Sequence, residues 1–144
     1  MPVIAVDYGD ARTGVAISGA SGQYAAEAFT IHEKDGGKLI ERLCALAAAR
    51  REDTLFVVGL PVNMDGSEGP RAQKSRAFAA KLREASEINV ELCDERLTTV
   101  QAARMLKASG SKTKVDALAA ALLLEAYLRG TRSGAAGSRP PDCV

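Results

Sequence analysis

The first 31 residues contain three strand-like segments whose connections are too short for a parallel crossover. Residues 3–7 read VIAVD, a β-branched run that ends before a Tyr-Gly pair, and residues 13–18 form a second apolar segment. Residues 24–31 form a third, weaker segment. A tight turn can join two antiparallel strands, whereas parallel strands need a crossover of roughly a dozen residues or more. The chain is therefore predicted to begin with an antiparallel three-strand meander.

After the third segment, helical and strand patterns alternate. Leucine, isoleucine and alanine at helical spacing predict a helix over residues 37–50, which Asp35 and two glycines precede. Residues 55–59 read LFVVG, a continuous apolar run that is typical of a strand buried on both faces. A helix that begins at Pro70 follows, because proline suits the first turn of a helix. Residues 89–93 then form a further strand pattern.

The last third of the chain predicts two more helices. Thr98 and Gln101 form a capping-box pattern, which predicts a short helix that extends to about residue 107. The apolar face of a final helix extends from Val115 to about Arg129. Right-handed crossovers between parallel strands would then extend the initial meander. The predicted fold is therefore α/β, a mixed sheet with helices on both faces.

Length and composition indicate one domain over residues 1–129 and a flexible tail over residues 130–144, which is rich in Gly, Ser and Pro. A chain of 144 residues has the usual size for one domain with its own core. No apolar run approaches the roughly 20 residues of a membrane span, and the amino terminus lacks the pattern of a secretory signal. The three cysteines do not have metal-ligand spacing. We expect a reduced, cytoplasmic protein without membrane contact.

Three acidic residues lie at the ends of predicted elements far apart in the chain, namely Asp7, Glu95 and Asp116. The strands that end near Asp7 and Glu95 are both expected to be central in the sheet. If they run parallel, their carboxyl ends share one sheet edge, where open α/β sheets place their sites. The small residues Ala119 and Ala120 would let the last helix bring Asp116 to the same edge. Carboxylate oxygens suit Mg²⁺, and two ions about 4 Å apart can stabilise the attacking and leaving oxygens of a phosphodiester.

Each acid also has a purely structural explanation. Asp7 could end a strand before a glycine turn, and Glu95 could pair with the adjacent Arg96 at the surface. Asp116 lies in the predicted first turn of a helix, where the helix dipole favours an acid. The predicted convergence on one sheet edge is what favours a functional role for all three.

The loop over residues 60–69 precedes a helix amino terminus, so its backbone N–H groups could hold a phosphate, although the loop could also be a rigid turn. Asp65 is expected to be a turn residue. Arg12 could contact a phosphate or pair with the acids, and Arg96 could neutralise the acids or contact the strand backbone. Because the formal net charge is only +1, nucleic-acid binding would need a local basic surface. The candidate substrate contacts are Arg12, Asn63, Gly66, Arg71, Lys74 and Arg96, with Tyr8 as a candidate for base stacking.

Four blocks of the chain resemble, in the same order, those of the pre-16S rRNA nuclease family, which is also described as Holliday-junction-resolvase-like. The blocks are VDYGDARTGVAIS, VVGLPVNMDGSEGPRAQKSRAFAAKL, VELCDERLTTVQAARML and VDALAAALLLEAYL, and together they cover approximately residues 3–128. The resemblance implies a ribonuclease-H-like fold and metal-dependent phosphodiester cleavage. It assigns metal-binding catalytic roles to Asp7, Glu95 and Asp116, with Asp94 as an alternative or helper at the middle position.

The resemblance implies two Mg²⁺ or Mn²⁺ ions and a substrate of structured RNA or branched DNA. Maturation of the 5′ end of precursor 16S ribosomal RNA is the expected activity, and cleavage of four-way DNA junctions is the alternative. Junction cleavage would favour a homodimer, because two symmetric strands are cut, whereas end trimming would suit a monomer. Two other classes are a non-catalytic nucleic-acid-binding module and a phosphotransferase or ATPase of the actin and sugar-kinase type. The phosphotransferase would need a second domain, for which 144 residues leave no room.

Overall fold

The structure is a computed structural model that describes residues 2–19, 25–50, 54–63, 65–94 and 112–133, without the side chains of residues 112–114 and 131–133. In this part of the chain, five strands form one sheet: β1 (Val3–Asp7), β2 (Arg12–Ser18), β3 (Ala25–His32), β4 (Leu55–Leu60) and β5 (Val90–Asp94). The helices are α1 (Gly36–Ala48), α2 (Pro70–Ser86) and α3 (Lys112–Ser133). No helix in these ranges is long and apolar enough to cross a membrane.

The sheet has the strand order β3-β2-β1-β4-β5. Strands β1, β2 and β3 pair antiparallel, which confirms the predicted meander. Strands β1, β4 and β5 are parallel, so their carboxyl ends lie at one edge of the sheet. The prediction that β5 is central is wrong, since β5 ends the strand order and β4 separates it from β1. Strand β4 takes the inner position because all of its residues can be buried, whereas β5, which is only partly buried, lies at the end of the order.

Helices cover both faces of the sheet, as the predicted fold class requires. Alternate residues of a strand point to opposite faces. On one face, Ile4 and Phe56 belong to a core cluster with residues of α1 and α2. On the other face, Ala5 and Val57 pack with Leu123 of α3 and its neighbours. The sheet is therefore the middle layer, and α3 alone, among the described helices, belongs to the second cluster.

Helices α1 and α2 begin close to the residues that the sequence predicts, and local residue chemistry explains both starts. The Oδ1 atom of Asp35 accepts hydrogen bonds from the N–H groups of Gly37 (2.8 Å) and Lys38 (3.1 Å) and so caps α1. Pro70 is the first residue of α2, which confirms that prediction. Helix α3 begins before Val115 and continues past residue 129. The short helix predicted after Thr98 and the segment 134–144 lie outside the described residues.

Candidate functional site

A cavity of about 280 Å³ lies at the edge of the sheet where β1 ends. The end of β1, the turn from β1 to β2, the first turn of α2 and the amino-terminal part of α3 form its walls. The lining residues are Asp7, Tyr8, Gly9, Asp10, Ala11, Arg12, Arg71, Val115, Asp116 and Ala119. Two of the three predicted catalytic acids, Asp7 and Asp116, therefore share one cavity.

Gly14 lets Asp116 reach this cavity. In the antiparallel pairing of β1 with β2, Gly14 is the partner of Asp7. A Cβ atom at Gly14 would lie only 2.0 Å from the carbonyl oxygen of Asp116 and 3.3 Å from the Cβ atom of Ala120. Helix α3 thus packs directly on the backbone of β2, beside the strand that ends at Asp7. This geometry confirms that small residues permit the close approach of the last helix.

Arg12 forms an ion pair with Asp116, with 3.1 Å between Nε and Oδ2. Asp116 is only 8% exposed, and a buried carboxylate needs a compensating charge. Because α3 begins at Lys112, Asp116 lies in the second turn, beyond the strongest effect of the helix dipole. Of the two roles considered for Arg12, the structure therefore shows the pairing with an acid.

The turn between β1 and β2 is held against α2. The ring of Tyr8 stacks on Phe78 of α2, with 4.3 Å between ring centroids and 14° between planes. The Thr13 hydroxyl group lies 3.4 Å from both the N–H group and the carbonyl oxygen of Gly9 and can bond with either. The position of the residues that follow Asp7 thus depends on both the turn and α2. Phe78 covers Tyr8, the candidate for base stacking.

The basic residues of α2 differ in their placement. Arg71 is exposed and lines the cavity. Lys74 is also exposed, and its Nζ atom lies 3.5 Å from Oδ1 of Asp10. Arg76 instead donates two hydrogen bonds to Glu68, of 2.6 and 2.7 Å, which lower the pKa of the Glu68 carboxyl group. Of these cations, Arg71 therefore lines the candidate site itself, and Lys74 contacts Asp10, which also lines it.

The loop that precedes α2 is closed on itself. The N–H group of Asn63 donates to the Ser67 carbonyl oxygen, and the N–H group of Gly66 donates to the Asn63 carbonyl oxygen, both at 2.9 Å. Oδ1 of Asp65 accepts from the N–H group of Ser67 at 2.9 Å, so Asp65 is a turn residue as predicted. The expectation that N–H groups in this loop are available to a phosphate is therefore wrong at Asn63, Gly66 and Ser67. Neither Asn63 nor Gly66 lines the cavity.

The middle acid of the predicted set is not placed in the cavity by the described residues. Asp94 is buried at the end of β5 and pairs in register with Leu60, but it does not line the cavity. Glu95 and Arg96 lie outside the described residues. Within the described ranges, no group of three or more His, Cys, Asp or Glu residues could hold a metal ion. The carboxylates of Asp7 and Asp116 nonetheless fit Mg²⁺, which proteins usually hold with one or two carboxylates plus water and substrate phosphate.

Two residues that shape this site were not predicted from the sequence. Asp10 lines the cavity, although nothing in the sequence distinguished it from an ordinary turn residue. Gly14 sets the contact between β2 and α3. A glycine inside a strand pattern often marks a close backbone approach, so Gly14 carried a readable signal.

Comparisons with known proteins bear on the family and the fold of this chain. Residues 1–130 match the family model of RuvX, which is described as Holliday junction resolvase. A relative from Geobacillus thermodenitrificans, provisionally named a pre-16S rRNA nuclease, is 42% identical over 92% of this chain and 100% of its own length. A relative of the same name from Ruminiclostridium cellulolyticum is 38% identical over 89% of this chain and 94% of its own length. The RuvC structure from Thermus thermophilus has a TM-score of 0.57 at 14% identity, and the match covers 90% of this chain and 96% of RuvC. This likeness confirms the ribonuclease-H-like fold.

Proposed function

This chain belongs to the RuvX family, and we propose on that basis that it is a metal-dependent nuclease that acts on structured nucleic acid. Its proposed substrate is the 5′ end of precursor 16S ribosomal RNA, as the names of the relatives suggest. A cytoplasmic location would follow from that substrate. Cleavage of four-way DNA junctions is the second candidate, because the family model carries that description.

The observation that supports this proposal is the shared cavity of Asp7 and Asp116, with Arg71 at its wall. Asp7 and Asp116 would hold Mg²⁺ or Mn²⁺ ions, and Glu95 would be the third ligand, with Asp94 as its alternative. Bound ions of this kind stabilise charge on a phosphodiester and generate a nucleophile from water at neutral pH. Since no histidine is among the lining residues in the described part of the chain, we assign no side chain as the general base.

The cationic residues would bind the substrate backbone. Arg71 is exposed and lines the cavity, so it can contact a phosphate oxygen directly. Arg12 holds the Asp116 carboxylate, and we propose that this pairing positions the acid rather than the substrate. Lys74 lies next to the cavity and would contact the strand outside the reacting phosphate. Arg96 stays a proposed contact that lies beyond the described residues.

The test is cleavage of two labelled substrates, a precursor 16S ribosomal RNA fragment and a synthetic four-way DNA junction. Each is incubated with Mg²⁺, with Mn²⁺ or with a chelator. We expect cleavage only with a divalent ion, and the preferred substrate distinguishes the two candidate functions. Cleavage of either substrate in the chelator would contradict the metal dependence.

The decisive variant is Asp7→Asn, which keeps the shape of the side chain and removes its charge. Cleavage should fall by at least roughly a hundredfold, about what the loss of one group that stabilises transition-state charge costs. The matched control is Asp35→Asn, since asparagine also caps a helix and Asp35 lies at α1. Full activity of Asp7→Asn, with the same circular dichroism spectrum as the wild type, would refute the proposed role of Asp7.

A further inference from the structure

A second, smaller cavity of about 100 Å³ lies beside the candidate catalytic cavity, between the β1–β2 turn and α2. Its lining residues are Tyr8, Gly9, Asp10, Arg71, Lys74 and Ser75. Four of them, Tyr8, Gly9, Asp10 and Arg71, also line the larger cavity. The two cavities are therefore adjacent, and one extended ligand could occupy both.

Ser75 is the unusual residue of the smaller cavity. It lies on α2 and is only 3% exposed. Among the described residues its hydroxyl group has no hydrogen-bond partner, and the hydroxyl is open to the cavity rather than sealed from solvent. Buried side-chain hydroxyl groups in proteins normally have a partner. At the wall of a cavity, that partner can be a water molecule or a polar group of a bound ligand.

The charges around Ser75 favour an anion. Arg71 and Lys74 contribute two positive charges to the lining, and Asp10 contributes one negative charge, which leaves a net charge of +1. Asp10 is largely exposed, with a side-chain exposure of 76%, and its contact with Lys74 is long at 3.5 Å. Exposed ion pairs of this kind are weak, so Lys74 can exchange Asp10 for a ligand. A phosphate accepts hydrogen bonds from a hydroxyl group and from both cations.

We propose that the smaller cavity binds a phosphate group of the nucleic-acid strand next to the phosphate that reacts. Ser75 and Lys74 contact this neighbouring phosphate, and Arg71 lies between the two phosphate positions. The proposal rests on the proposed nuclease function, since it assigns a substrate position to that same site. It identifies Ser75 as a substrate contact, a role that the sequence did not suggest.

The test measures binding without cleavage. A fluorescently labelled four-way junction and a labelled precursor RNA fragment are each titrated with the full chain in a chelator, by fluorescence anisotropy at several salt concentrations. We expect Lys74→Gln to weaken binding roughly two- to fivefold, as for one exposed ion pair. The slope of the logarithm of affinity against the logarithm of salt concentration should fall by about 0.7–0.9, as for one lost phosphate contact.

The matched control is Lys81→Gln. Lys81 is exposed on the same helix but lines neither cavity. Lys81→Gln removes the same charge from α2 as Lys74→Gln does, so any general electrostatic effect should appear in both variants. Only Lys74→Gln should lose a specific phosphate contact. Equal losses in affinity and in salt slope for the two variants would overturn the assignment of Lys74.

Ser75→Ala distinguishes a ligand contact from a structural role. We expect binding to weaken roughly tenfold, because a hydrogen bond to a charged group is lost. The midpoint of thermal unfolding should stay the same or rise, since the hydroxyl group has no partner among the described residues. A lower midpoint with unchanged binding would show that Ser75 is structural and would overturn the proposal.

Asp10→Asn tests whether the ligand in the smaller cavity is an anion. If the cavity binds a phosphate, loss of the negative charge should strengthen binding. Weaker binding would mean that the Asp10 carboxylate itself supports nucleic-acid binding and would overturn the proposal. Failure of the wild type to bind either nucleic acid would refute the proposed function together with this cavity. A wild type that binds and cleaves, with Ser75→Ala and Lys74→Gln unaffected, would refute the phosphate cavity alone.

Discussion

Gly14 is the position at which strand β2 and helix α3 come into backbone contact. A Cβ atom there would lie 2.0 Å from the carbonyl oxygen and 2.7 Å from the carbonyl carbon of Asp116, so the helix backbone would have to move. We expect Gly14→Ala to lower the free energy of unfolding by about 1–3 kcal/mol, as for overpacking of a core. Cleavage by the folded fraction should fall as well, because Asp116 moves relative to Asp7. Urea denaturation and the cleavage assay measure the two effects.

The control for Gly14 is Gly36, the first residue of α1. A Cβ atom at Gly36 would meet nothing within 4 Å. Gly36→Ala should therefore raise the free energy of unfolding by about 0.4–1 kcal/mol, because alanine restricts the unfolded chain. Equal destabilisation by both substitutions would contradict the explanation that the contact between β2 and α3 is the cause.

Individual residues differ in how far the sequence predicts their place. Asp7 and Asp116 could be predicted because each lies at the end of a strongly patterned element. The partner of Arg12 could not be predicted, since its position in the chain allows contact with either an acid or a substrate phosphate. Only the packing of α3 on Gly14 places the Asp116 carboxylate 3.1 Å from the Arg12 guanidinium.

At the scale of elements, the meander could be predicted because short connections leave no other topology. The order of β4 and β5 could not, since both patterns read as short apolar strands and the order depends on long-range pairing. The sequence of the loop before α2 wrongly suggested that its backbone N–H groups are available to a phosphate. The Asp65 carboxylate accepts a hydrogen bond from the N–H group of Ser67, as Asp residues in turns commonly do. The Asn63 amide group donates to the Ser67 hydroxyl group, and these bonds close the loop on itself.

The same loop is tied to α2 by the ion pair of Glu68 and Arg76, which predicts a pH dependence. The hydrogen bonds from Arg76, and secondarily its charge, lower the pKa of Glu68 in the folded protein. The resulting stabilisation is fully present above the unfolded pKa of about 4.3 and is lost as pH falls through the lowered folded pKa. Glu68→Gln should therefore lower the midpoint of thermal unfolding slightly at pH 7, and the difference from the wild type should vanish in strong acid. A difference that grows towards acid would contradict this sign.

For the whole molecule, the candidate cavity concentrates charge within a chain whose formal net charge is only +1. Asp7, Asp10 and Asp116 contribute three carboxylates, and Arg12 and Arg71 contribute two cations. Arg12 pairs with Asp116 and Lys74 lies near Asp10, so these charges are partly balanced, but carboxylates that line one cavity without a bound cation still disfavour one another. Functional sites commonly carry such a cost in stability. A divalent ion would relieve this repulsion only in the folded chain, since the unfolded chain does not bring the acids together.

Metal binding should therefore stabilise the fold, which can be measured without any substrate. An ion that binds only the folded state adds about 2.7 kcal/mol at a concentration of 100 times its Kd. For a chain of this size, the midpoint of thermal unfolding should rise by roughly 5–10 °C with Mg²⁺ or Mn²⁺. Asp7→Asn should have a higher midpoint than the wild type in a chelator, because one repelling charge is gone, but it should gain little from the ion. Asp35→Asn should respond to the ion as the wild type does. An equal rise in the wild type and in Asp7→Asn would show that the ion binds elsewhere, and would remove Asp7 from the proposed metal site whatever the outcome of the cleavage assay.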